Sequence, residues 1–407
     1  AAATGLAGVL TNPSVIAMYG PLASQTADAL AVFKTVMMGA FLTAVLGFVV
    51  VRRHTRTEED EGRHELVGSG VVGRWSALAA SVALACLSVI AASALSAVGL
   101  AALGMDGAGS AAFAVAWLSA GLATVGVTAV AVQLASTSRG AAGLGFGFLA
   151  AAYALRAVAD SSDAGPPLPA RGWLSPLGGA GRVEAYGASR QWVLLLGLGA
   201  LVIGVAVGLA VLDRRDLGAG LIPTRSGPSR AGALLASPLG LVTRLARGTI
   251  IGWSIGITLG AVAIGSLLGS IADLADDEVI QEFLHQLGGS VGTIEDIFVA
   301  TEVRFVAVAV AAAGVALLLR LVGAERGGLG EVVLTTPVSR TRWYAAHVVV
   351  SLVLVTVLMA LFGVVLGLVG SAVSPLGPSV GAVVAASLAT APAVWVVVGV
   401  TAFLCGT

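Results

Sequence analysis

Residues 31–56 read AVFKTVMMGAFLTAVLGFVVVRRHTR, a long apolar run that carries Lys34 near its start and closes on Arg52, Arg53 and Arg56. At a rise of about 1.5 Å per residue, roughly 20 apolar residues in a helix cross ~30 Å of hydrocarbon. The run is continuous and does not alternate, so it predicts a spanning helix rather than a barrel strand. Working outward, eight further stretches share this character. With the first they lie at roughly 33–51, 76–103, 111–135, 141–159, 191–212, 249–271, 298–319, 343–370 and 380–405. Composition agrees: 57% of the 407 residues are hydrophobic, 11% are charged, and mean hydropathy is +0.98. A soluble chain carries about 25% charged residues to cover its surface. The sequence therefore predicts an all-α polytopic membrane protein.

Arginine placement gives the orientation. Of the 22 basic residues all but Lys34 are Arg, a bias that with abundant Ala, Gly and Val points to a high-GC bacterial genome. Arg52, Arg53, Arg56, Arg63 and Arg74 follow the first stretch, and Arg139 lies between the third and fourth. Arg214, Arg215, Arg225, Arg230, Arg244 and Arg247 follow the fifth; Arg320, Arg326, Arg340 and Arg342 follow the seventh. The intervening loops are acidic or neutral, with Asp106 in one and Asp273, Asp276, Asp277, Glu278 and Glu282 in another. The 160–190 loop, with Arg171, Arg182 and Arg190, is placed outside by parity. The positive-inside rule then predicts a bacterial inner-membrane protein. Residues 1–32 are expected outside, and loops 52–75, 136–140, 213–247 and 320–342 in the cytoplasm.

The loops after the first and seventh stretches match. Residues 59–75 read EDEGRHELVGSGVVGRW and residues 325–343 read ERGGLGEVVLTTPVSRTRW. Glu59, Gly62, Glu65 and Arg74 recur as Glu325, Gly328, Glu331 and Arg340, every pair 266 residues apart, and a Trp follows each loop at Trp75 and Trp343. In a chain so poor in charge, agreement at Glu, Gly, Glu and Arg carries more information than agreement among Ala, Val and Leu. Stretches 76–103 and 111–135 correspond to 343–370 and 380–405 on the same map. An even number of spans between the motifs makes the repeats parallel. The expectation is two parallel six-span halves, twelve spans in full and about nine to ten here. On that register one span would precede Ala1 and two would follow Thr407. Residues 1–212 are the first transmembrane half, 213–247 a cytoplasmic linker, and 248–407 the second half. The end of the linker, with Leu239, Val242 and Leu245 beside Arg244 and Arg247, suggests a short interfacial helix. The external 273–297 segment carries Val279, Ile280, Phe283, Leu284 and Leu287 at helical spacing.

Several chemistries are disfavoured. Formal net charge is zero, which argues against a nucleic-acid partner. A phosphate-binding loop needs G-x4-G-K-[ST], and Lys34 stands in AVFKTVMM without the glycines, so the chain reads as having no nucleotide site. His54, His64, His285 and His347 fall on both predicted sides of the bilayer and form no one catalytic or metal site. Cys86 and Cys405 each sit in an apolar run, as buried small hydrophobes do. Residues 1–20 lack the basic start of a signal peptide. Lys34, Glu302, Arg304 and Arg156 lie near outer span ends and are expected to snorkel, since a charge at mid-depth costs ~3 kcal/mol or more. Asp160 stands four residues after Arg156, within pairing reach. Glycines four or so apart, at Gly252, Gly256, Gly260, Gly265 and Gly269, at Gly204 and Gly208, and at Gly363 and Gly367, are expected to pack helices closely.

The two matching loops resemble the coupling-helix region of ABC-type exporter permeases, in which E-x2-G-x2-E and a later P-V-S-R follow a span. The second copy, with Pro337, Val338, Ser339 and Arg340, is the closer match; the first departs from it, with Gly73 where Ser339 stands. Trp173-Leu174-Ser175-Pro176-Leu177-Gly178, with Arg190 and Trp192 downstream, is similar to an external segment of the branch that exports polyketide antibiotics. NPSVIAMYGP, with Asn12, Pro13, Tyr19, Gly20 and Pro21, is similar to that branch's first external loop.

The resemblance implies a permease exporting hydrophobic or amphipathic compounds by alternating access, with two copies of a separate ABC ATPase subunit docked on the loops. Glu59, Gly62, Glu65, Arg74, Glu325, Gly328, Glu331, Pro337 and Arg340 would form the coupling loops. No cofactor would bind this chain; ATP and magnesium would belong to the partner. The competing readings are an ion-coupled secondary transporter, which needs titratable groups at mid-depth, and a non-transporting scaffold or membrane enzyme.

Overall fold

The computed structural model of the chain describes residues 13–63, 70–162, 170–216, 218–222, 230, 232, 235, 237–269, 294–374 and 377–406. Its helices are α1 Pro13–Tyr19, α2 Ala27–Arg52, α3 Ser76–Ala102, α4 Gly107–Leu134, α5 Ser138–Ser162, α6 Pro176–Gly181, α7 Leu194–Leu212, α8 Pro238–Ser266, α9 Ile294–Arg326, α10 Leu329–Leu334, α11 Arg340–Val373 and α12 Val380–Gly406. Among the described residues no strand forms, and one isolated bridge joins Ala135 to Ile222. Nine helices there are long and apolar enough to cross a bilayer, one for each stretch read from the sequence. The chain is an all-α, multi-pass membrane protein.

Most helices overrun the apolar stretches because polar caps set their ends. Thr26 accepts the Ala29 N–H at the start of α2, and Asp106 accepts the Gly109 N–H at the start of α4. Ser237 accepts the Gly240 N–H, and Pro238 takes the first position of α8, where a missing N–H costs nothing. With that start signal α8 runs unbroken to Ser266, so residues 238–247 form its first turns rather than a separate helix. The 273–297 amphipathic reading falls largely outside the described residues.

The described residues divide into two compact units, one within 9–226 and the other within 227–407. In the first unit α4 is the central helix and packs against α2, α3 and α7. Its Ala, Gly, Ser and Thr residues keep it thin, which lets neighbouring backbones approach. A Cβ on Gly204 would lie 2.3 Å from the Gly126 carbonyl oxygen, and one on Gly126 would lie 2.4 Å from that of Ala200. Away from α4 the helices present Leu87, Leu95 and Val98 (α3) and Leu195, Val202 and Ile203 (α7), an apolar surface suited to lipid.

In the second unit Leu358, Met359, Phe362 and Leu366 of α11 are fully buried against the neighbouring helices. Gly363 and Gly367 bring α11 onto Val384 and Val380 of α12, and Gly265 seats α8 against Val369. Gly252, Gly256 and Gly260 differ from the packing expectation, for a Cβ there would meet nothing within 4 Å. Of the glycines on α8, the contacts come at Gly265 and, just past its end, at Gly269, beside Val369 and Val373 of α11.

Candidate functional site

The repeated E-x2-G motif makes the same turn in both units. The Gly62 N–H donates to the Glu59 carbonyl at 3.1 Å, with φ +74°; the Gly328 N–H donates to the Glu325 carbonyl at 3.1 Å, with φ +71°. Only a residue without Cβ takes this left-handed conformation at little cost, so glycine ends the long helix and redirects the chain. The spacing read from the sequence thus corresponds to one local structure built twice.

Beyond the turn the two copies do different work. In the first unit α2 continues through a π-type turn, Arg53–Thr57, into the helical turn Glu58–Asp60. There the Glu59 carboxylate, 7% exposed, accepts two bonds from the Arg215 guanidinium at 2.7 and 2.8 Å. It also accepts one from Arg56 at 2.7 Å and one from the Gly218 N–H at 2.7 Å. Two guanidiniums on one carboxylate, one of them bidentate, make a strong charge-assisted clamp. Arg215 further donates to the Gln133 side chain at 2.6 Å, and Arg56 to the Ala219 carbonyl at 3.1 Å. Arg74 donates to the carbonyls of Leu212 (2.8 Å) and Arg215, and the Trp75 indole N–H donates to Asp213 at 2.7 Å. Thr57 bonds the Ser138 hydroxyl at 2.8 Å, and Asp60 accepts the Ser138 N–H. The basic loops after α2, α4 and α7 therefore meet at one end of this unit, held by the residues that punctuate them. Glu65 lies outside the described residues.

In the second unit α9 ends at the Gly328 turn and the short helix α10 follows at once. Glu331, Val332, Thr335 and Pro337 are exposed on and after it, while Val333 is buried beneath. Ser339 caps α11 by accepting the Arg342 N–H at 3.3 Å. A pocket of about 650 Å³ opens beside this turn, lined by Glu325, Leu334, Arg340, Trp343, Tyr344 and Cys405 among others. Tyr344 closes one side by donating to the Ala402 carbonyl at 2.6 Å.

The opposite end of the first unit holds charges too. Asp28 accepts the Asp106 N–H at 3.1 Å, and the Tyr186 hydroxyl bonds Ser110 at 2.8 Å. Burial pushes the Tyr186 hydroxyl above its ordinary range, so it stays a neutral partner. Arg156 pairs with Asp160 at 3.7 Å, as their spacing predicts, and Arg182 adds a second guanidinium at 3.3 Å. All three side chains are buried, so Arg156 does not snorkel. It donates instead to the carbonyls of Ala17 and Met18 in α1, whose backbone supplies the acceptors that water would otherwise give. Lys34 does stay exposed, 5.7 Å from the Tyr19 ring. The Arg182 contact is 22 residues distant in sequence and carried no signal there. Among the described residues no three His, Cys, Asp or Glu side chains converge as a metal site.

The chain is similar to known proteins along its whole length. A family model described as multidrug efflux system permease Rv1217c, C-terminal domain, matches residues 235–407. The multidrug efflux system permease protein Rv1217c of Mycobacterium tuberculosis is 36% identical over 408 residues, covering 100% of this chain and 73% of that protein.

Proposed function

The chain belongs to the family of the multidrug efflux system permease Rv1217c, and from that premise we propose that it is the membrane permease of an ABC-type, ATP-driven exporter of hydrophobic or amphipathic drugs. Residues 1–212 and 248–407 act as the two transmembrane halves, joined through a cytoplasmic linker at 213–247. The Arg-bearing ends face the cytoplasm of a bacterial inner membrane. Two ATPase subunits, which carry the ATP and magnesium, dock on the loops after α2 and α9.

The observation that carries this reading is the E-x2-G turn, made with the same bond and the same left-handed glycine at both places. A rigid turn fixed to the end of a spanning helix transmits displacement from a partner to that helix. In the second copy α10 supplies the contact surface, with Glu331 beside the exposed Val332 and Pro337 shortly after. In the first copy Glu59 and Arg74 shape the loop from within, since their polar atoms are engaged by Leu212, Arg215 and Gly218.

Drug efflux from cells expressing Glu331→Ala together with Val332→Asp tests the docking role. Export is expected to fall tenfold or more while the membrane level of the protein holds. Undiminished export from the double variant contradicts it. Transport that survives ATP depletion but stops with an uncoupler would instead select an ion-coupled secondary transporter.

A further inference from the structure

A weak joint lies between the spanning part of α2 and the Gly62 turn. Arg53–Thr57 is a π-type turn, and helices bend most readily where such a turn loosens the ladder of backbone bonds. A push delivered at Gly62 would be absorbed at this joint unless the helical turn beyond it, Glu58–Asp60, were tied sideways to something stiffer.

Arg215 makes that tie. Its guanidinium grips the Glu59 carboxylate with both Nη atoms, at 2.7 and 2.8 Å, while its Nε–H donates to the Gln133 side chain at 2.6 Å. Glu59 stands beyond the π-type turn, Gln133 belongs to the last turn of α4, and Arg215 comes just after α7. The backbone joins the same elements. The Gly218 N–H donates to Glu59 at 2.7 Å, and the Ile222 N–H donates to the Leu134 carbonyl at 2.9 Å. Gly220 lies so near the end of α4 that a Cβ on it would come within 2.4 Å of the Ala135 backbone. Gln133 and Arg215 are 2% and 8% exposed, so water has little access to compete for these charge-assisted bonds.

We propose that Arg215 is the positioning residue that carries displacement of the first E-x2-G turn across the π-type joint to α4, with the start of the linker as the strap that holds it. The load then falls on the helix that packs against α2, α3 and α7, and is not lost in bending α2 alone. This route by which an ATPase's work enters the first unit rests on the docking reading given above.

Two variants separate the arms of the tie. Gln133→Leu removes the α4 arm and leaves the Glu59–Arg215 charges in place. Arg215→Lys keeps a charge for Glu59 but gives up the fork that reaches both partners. With the permease and its co-purified ATPase in proteoliposomes, drug moved per ATP is expected to fall about fivefold in each variant, while ATP hydrolysis stays within about twofold of the parent. A second readout needs no ATPase: the distance between spin labels at Glu61→Cys and Thr137→Cys, both exposed, with Cys86 and Cys405 replaced by Ser. A single narrow distribution is expected, broadened by Gln133→Leu. An unchanged drug-to-ATP ratio in Gln133→Leu, hydrolysis that falls in step with transport, or unaltered spin-label distances overturns the proposal and leaves the docking reading standing. A preparation from which no ATPase co-purifies overturns both.

Discussion

Glu59 and Glu325 occupy the same place in a repeat and carry opposite burdens. Glu59 is buried between two guanidiniums, so Glu59→Gln leaves Arg56 and Arg215, 0% and 6% exposed, short of their counter-charge. Breaking a buried pair from one side costs about 3–5 kcal/mol. Glu325 is exposed and makes no ion pair among the described residues, so Glu325→Gln should change stability by less than about 0.5 kcal/mol. Thermal unfolding of the two variants in detergent checks the contrast; equal losses would refute it. The motif itself was legible, because scarce charged residues and a conformationally special glycine stand out in an apolar chain. Its division of labour was not, since Arg215 lies 156 residues from Glu59 and no local pattern announces that meeting. The same holds at the other end, where Asp160 follows Arg156 at helical spacing but Arg182 arrives from a different element.

At the scale of elements, glycine spacing told which faces are smooth but not which are covered. Gly204 sits against the backbone of Gly126, and a Cβ there would come within 2.3 Å of main-chain atoms that cannot yield. Gly204→Ala should therefore cost about 1–3 kcal/mol through overpacking and force α7 away from α4. Gly256 has the same spacing on α8 but open space beside it. Gly256→Ala should be neutral or gain up to about 1 kcal/mol from helix propensity. Denaturation midpoints of both variants decide this, and a loss at Gly256 matching that at Gly204 would count against the described packing. The existence of the nine spanning helices among the described residues was readable from hydropathy alone, whereas that of the short helices α1, α6 and α10 was not. Helix ends were not, because they are set by polar caps such as Thr26, Asp106 and Ser237, which a hydropathy window discards. The start of α8 at Pro238 is the clearest instance: its first turns look interfacial in composition yet belong to the spanning helix.

For the whole molecule, the alternation of basic and non-basic loops and the parallel repeat carry the account. In the first unit the loops after α2, α4 and α7 converge at one end, as the arginine pattern requires of loops on one side. The central claim is that both E-x2-G turns are handles facing the cytoplasm, where an ATP-hydrolysing partner reaches them. Labelling with a membrane-impermeant maleimide tests it most directly, using single-cysteine variants Glu61→Cys and Thr335→Cys with Cys86 and Cys405 replaced by Ser. Both positions are exposed next to the turns. The account predicts that neither cysteine reacts in intact spheroplasts and that both react once the membrane is opened. Labelling of either one in intact spheroplasts would contradict it.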